Sequence, residues 1–96
     1  MFKELNPLLH AQLRLAIISL LISVKEAEFG FLKEKTGASA GNLSVQITKL
    51  KDAAYIEVHK KFKDNYPLTT CSITAKGILA FEEYVAALQA YTSVNK

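Results

Sequence analysis

A single cysteine, Cys71, among 96 residues leaves no internal disulfide, and His10 and His59 stand too far apart in sequence to form a metal-ligand spacing with it. No cofactor or metal is expected. The apolar run from Leu15 to Ile22 is too short to span a bilayer, and no small-residue cleavage pattern precedes a mature domain. Membrane insertion and secretion are therefore not expected, and the chain reads as cytoplasmic. There is no nucleophile beside a base, no carboxylate pair spaced for a cleft and no glycine loop to cradle phosphate; Glu82-Glu83 reads as a solvated helix face. An enzyme is not expected. Repeats, low-complexity stretches and linkers are missing too, and a chain of this length, half of it hydrophobic, fits one domain over residues 1–96.

Charge is sparse and unevenly placed. Of a formal net charge of +3, all falls between Lys49 and Lys63, where Lys49, Lys51, Lys60, Lys61 and Lys63 face only Asp52 and Glu57. A local basic stretch suits a polyanionic partner better than the mild overall balance does.

The pattern of elements begins with Pro7, which is tolerated in a helix's first turn, so a helix is expected from there to about Val24. Its apolar surface is wide: Leu15, Ile18 and Ile22 lie off the main stripe of Leu9, Leu13, Ala16, Ile17, Leu20, Leu21 and Val24, so a second subunit is expected to cover part of it. A short helix over Phe29 to Lys35 ends at Gly37, which can take the positive φ of a helix-ending turn. Ser39 can cap the next helix, which begins near Ala40 and turns Leu43, Ile47, Leu50 and Ala54 inward. Gly41, Asn42, Val45, Thr48 and Lys49 then face outward, with Ser44 and Gln46 on the flanks. From Ile56 the period changes to two, the run breaks over Lys63–Pro67 and resumes at Thr69–Thr74, predicting a hairpin with a loop of several residues and basic side chains near its tip. Thr74 can cap a last helix whose stripe of Ile78, Phe81, Val85, Leu88 and Thr92 is widened by Tyr84 and Tyr91.

Three helices, a hairpin and a fourth helix constitute a mainly α fold with a small β-hairpin: a winged helix-turn-helix with a three-helix core, a wing and a C-terminal helix. The chain resembles the small bacterial or archaeal winged-helix transcriptional regulators of the MarR-like type. The residues that carry the likeness are Leu5-Asn-Pro-Leu-Leu-His10, Leu13-Arg-Leu-Ala-Ile-Ile-Ser-Leu-Leu21, Phe29 with Leu32, Gly37, Gly41-Asn-Leu-Ser44, Leu50 with Ala53-Ala-Tyr-Ile56, Thr69-Thr70 and Ile73-Thr-Ala-Lys-Gly77. The sequence departs from the family's pattern at Thr36, Ala40, Val45 and Cys71, where an aliphatic, an acidic, a polar or basic and an aromatic residue are respectively frequent.

The resemblance implies a homodimeric regulator of double-stranded DNA, with a recognition helix over about residues 40–53 and a wing over about 57–72. Ser39, Gly41, Asn42, Ser44, Val45, Gln46 and Lys49 would lie in or beside the major groove, and Lys60, Lys61 and Lys63 would reach backbone or minor groove. Chemically, the Asn42 and Gln46 amides can read base edges, serines near a helix start can bond phosphate, and lysines supply affinity without sequence information. Leu9, Leu15, Ile18, Ile22, Tyr84, Leu88 and Tyr91 are the expected dimer residues, and His10 reads as a core-edge or interface residue. With no extra domain to recruit polymerase, a repressor is expected. The alternative is a winged-helix protein-interaction module that reads no DNA.

Overall fold

Asn6 sets the first turn. In the computed structural model, which describes residues 2–93, Asn6 Oδ1 accepts from the Leu8 and Leu9 N–H groups (2.9 and 3.3 Å), and the Asn6 carbonyl accepts from His10 (2.8 Å). The turn does not continue. Ala11 is extended (φ −149°, ψ 126°), and helix α1 runs only over Gln12–Val24, so the helix expected from Pro7 is two pieces. At the break, Arg14 Nε donates to the Leu8 carbonyl (2.6 Å) and so satisfies it. A continuous helix would have given that carbonyl to the Gln12 N–H.

After α1 come strand β1 (Glu26–Glu28), α2 (Phe29–Thr36), α3 (Ala40–Asp52), β2 (Ile56–Lys63), β3 (Tyr66–Ile73) and α4 (Ala75–Thr92). Strand β1, which sequence periodicity does not reveal, pairs antiparallel with β3 (Ala27 opposite Cys71), giving a three-stranded sheet in the order β1-β3-β2. The helices bury Leu9, Ile17, Ile18, Leu21, Leu32, Leu43, Ile47 and Leu50 against Ala27, Ile56 and Cys71 of the sheet.

Between α2 and α3, Gly37 takes φ 72° and Ser39 caps α3 by accepting from the Asn42 N–H (3.2 Å). The far end of α3 closes differently from expectation. Ala54 does not prolong the core stripe; it is exposed at φ 63°, while the Tyr55 N–H reaches Leu50 O (3.0 Å) and the Ala54 N–H reaches Lys51 O (2.9 Å). This paired bonding ends a helix through one left-handed residue.

The hairpin turn is also tighter than the sequence suggests. Asp64 and Asn65, with φ 51° and 67°, form a two-residue loop, and the register from Ile56↔Ile73 to Lys63↔Tyr66 is unbroken. Pro67 fits because it lies opposite Phe62, next to the closing hydrogen-bonded pair, at a position whose N–H would point away from β2.

Thr74 begins α4 by accepting from the Gly77 N–H (3.0 Å) while its hydroxyl donates to the Ala54 and Tyr55 carbonyls (2.7 and 3.0 Å). Gly77 is required by close approach: a Cβ there would lie 2.2 Å from Tyr55 O. The α4 core side is formed by Gly77, Ala80 and Tyr84, with the larger stripe residues half-buried and Thr92 exposed. The molecule is elongated, 56 × 25 × 20 Å.

Candidate nucleic-acid interface

The solvent face of α3 is built from the residues that its core side leaves over. With Leu43, Ile47 and Leu50 buried, Gly41, Asn42, Val45 and Lys49 are exposed along one stripe, and Ser44, Thr48 and Lys51 along the next. A Cβ at Gly41 would meet nothing within 4 Å, so the fold itself does not demand glycine there. The bare backbone leaves room for another surface to come close.

Ser44, Thr48 and Lys51 turn toward the hairpin. Together with Lys60 and Thr69, and floored by Phe29, Ile47 and Val58, they line a groove between α3 and β2–β3. No carboxylate lines it. Lys60 enters this groove because it shares a sheet face with Val58 and Phe62, whereas Lys61 and Lys63 alternate to the opposite face and line a separate hollow with Glu26 and Glu28. The three wing lysines are thus divided, and two of them line a hollow that Glu26 and Glu28 also line. Phe62 and Tyr66, 77% and 75% exposed, flank the hairpin tip.

Gln46 is not a free side chain. Its Oε1 accepts from Arg14 Nη1 (2.6 Å), and its Nε2 donates to Asn42 Oδ1 (3.0 Å). Arg14, Thr48, Lys51 and Thr69 belong to this surface but not to the expected DNA contacts, although Thr48 was expected to face outward and Lys51 lies in the basic stretch. Ser44, Thr48 and Lys51 do recur at helical spacing, so that stripe was available to periodicity. Arg14 carried no such signal, since its contact with Gln46 spans 32 residues.

The profile of the winged helix DNA-binding domain family matches residues 13–92. The chain belongs to this family. The matched span runs from the second residue of α1 to the last of α4 and holds every residue of the groove. An uncharacterized protein of Methanocaldococcus jannaschii is 35% identical over 72 residues, 75% of this chain and 78% of that one. Among solved structures, the transcriptional regulator homologue from Pyrococcus horikoshii superposes with a TM-score of 0.82 at 25% identity, over 88% of this chain and 84% of that one. The oxidized form of MarR from E. coli shares the fold at a TM-score of 0.69 and 18% identity, with 86% of this chain covering 58% of the MarR chain.

The residues expected at a dimer contact of this winged-helix chain separate by burial. Leu9, Ile18 and Tyr84 lie inside one chain at 0%, 0% and 4% exposure, so their side chains serve its own core. His10 is exposed, with its Nδ1 3.0 Å from the hydroxyl of the buried Tyr84. Leu15, Ile22 and Leu88 are half-buried, and Tyr91 is exposed, its ring 4.7 Å from that of Phe2 and its hydroxyl donating to Lys3 O (3.1 Å).

Cys71 is fully buried between β1 and β2, and loss of solvent pushes its thiol up from the usual 9.0 to about 11. A thiol so enclosed packs as a small apolar group. Among the described residues, no His, Cys, Asp and Glu groups cluster as metal ligands, and no helix is long and apolar enough to cross a membrane.

Proposed function

We propose that the chain is a homodimeric transcriptional repressor that reads duplex DNA with α3 in the major groove and steadies it with the β2–β3 wing. The observation that carries this reading is the groove between α3 and the wing, lined at its rim by hydroxyls and lysines with no acid. Lys51 of the helix and Lys60 of the wing both line it, and two cations there suit a phosphate strand passing between helix and wing. Gly41, Asn42, Val45 and Lys49 then meet the groove floor, with Val45, 51% exposed, able to touch a thymine methyl. Ser39 and Ser44 lie near the α3 start, where free N–H groups favour phosphate.

The dimer would use the half-buried Leu15, Ile22 and Leu88 with exposed Tyr91, in place of the residues that the core has claimed. Membership of the winged-helix family supports a DNA partner.

Footprinting on a duplex selected from random sequence tests the assembly. Two protected half-sites whose centres lie about one helical turn apart are expected; a single half-site would contradict the dimer, and no protection at all would favour the protein-interaction module.

A further inference from the structure

Arginine has hydrogen-bond donors and no acceptor, so it fixes the orientation of every amide placed after it. The Gln46 atom 2.6 Å from Arg14 Nη1 must be the oxygen, which turns Nε2 toward Asn42. That NH2 group needs an acceptor, so Asn42 presents Oδ1 to it at 3.0 Å. Asn42 is exposed on the first turns of α3, and its Nδ2 donors engage no other group among the described residues.

The relay is anchored at its inner end. Arg14 also donates from Nε to the Leu8 carbonyl (2.6 Å), in the break before α1, so the guanidinium swings away only by giving up two charge-assisted bonds.

We infer that Arg14 is a positioning residue for base choice: through Gln46 it fixes which way the Asn42 amide faces and engages one of the two lone pairs of Oδ1, so that Nδ2 is the group better placed to meet a base and α3 favours guanine over adenine at the base pair Asn42 meets. Guanine shows two adjacent acceptors, N7 and O6, in the major groove. Adenine shows an acceptor beside a donor, which an amide reads in full only when its oxygen and nitrogen are both free. Here one of the oxygen's two lone pairs is already engaged by Gln46, which weakens it as a partner for the adenine amine. The inference rests on α3 being the groove-reading helix.

The test is selection from a random duplex library with the whole chain and with Asn42→Ala, Gln46→Glu and Arg14→Met, each checked for folding by circular dichroism. The base position whose preference Asn42→Ala removes is the one Asn42 meets. There the original chain should favour guanine over adenine by about fivefold or more. Gln46→Glu still accepts from Arg14 but offers Asn42 only oxygens, so the Asn42 amide turns over, Oδ1 points outward, and preference moves to a base with an exocyclic amine, adenine or cytosine. Arg14→Met releases Gln46, and the guanine preference relaxes.

The readout is the ratio of bases at one position, which a merely structural role for Arg14 would leave alone while lowering affinity overall. Adenine preferred by the original chain, or guanine still preferred by folded Gln46→Glu, overturns the inference. If Asn42→Ala alters no base preference, Asn42 meets phosphate and the inference fails while DNA reading stands. Should the original chain enrich no sequence, the DNA reading itself falls and takes the inference with it.

Discussion

Arg14 on α1 and Gln46 on α3 meet at 2.6 Å, joining the helix that follows the N-terminal turn to the helix that faces outward. Because Arg14 also holds the Leu8 carbonyl, one side chain bonds both the break before α1 and a polar group on the candidate interface.

Gly77→Ala should destabilise the fold, although alanine is the better helix former. A Cβ at 2.2 Å from Tyr55 O meets backbone that is itself held by Thr74. Overpacking of this kind costs about 1–3 kcal/mol or more, and a drop in melting temperature of roughly 10 °C is expected by calorimetry. An unchanged melting temperature would mean that the α3–β2 corner yields freely.

Ala54→Gly should act in the opposite direction. A residue with a Cβ at φ 63° sits in the left-handed region that glycine occupies without strain, and Ala54 is exposed, so no packing is lost. A gain of about 0.5–1 kcal/mol is expected from chemical denaturation. A loss would show that the unfolded chain's added freedom outweighs the relief.

Cys71 predicts an alkaline weakness. Its folded pKa of about 11 stands above the ordinary 9.0, so above pH 9 the unfolded chain releases this proton first. The thiol's contribution to stability is thus whole below pH 9 and is lost as pH rises toward 11. Unfolding curves of the original chain and Cys71→Ala should converge over that window. A constant difference from pH 8 to pH 11 would contradict the burial.

Lys60 and Lys61, adjacent in sequence, should differ in DNA binding. Lys60 lines the α3 groove, and Lys61 lies on the other sheet face, beside the hollow that holds Glu26 and Glu28. Lys60→Ala should lower the slope of log affinity against log salt by about 1, and Lys61→Ala by distinctly less. Equal slopes, read by anisotropy, would remove the division of the wing into two faces.

Much of this was legible locally. Gly37, Ser39 and Thr74 announce turn and caps through their own chemistry, and the core positions Leu43, Ile47 and Leu50 follow from helical period. Strand β1 was hidden because Glu26-Ala27-Glu28 owes its extended form to pairing with β3 across more than forty residues, not to its own propensity. The Asp64-Asn65 turn was blurred by Pro67, read as a breaker although its open edge suits a proline. In the dimer set, a wide apolar helix cannot show which side its own chain covers. Ile18 and Tyr84 went inward, and Tyr91 remained outside. Nor can periodicity show which polar residues are already engaged, and Gln46 was.

Whether this winged-helix chain reads a particular DNA sequence through α3 and the wing is decided by fluorescence anisotropy. The fragment just upstream of its own coding region is titrated against a scrambled duplex over a salt series. Salt-steep binding that favours the native fragment by about a thousandfold is expected. Weak binding, equal for the two duplexes and no stronger than that of any mildly basic protein, would contradict that reading.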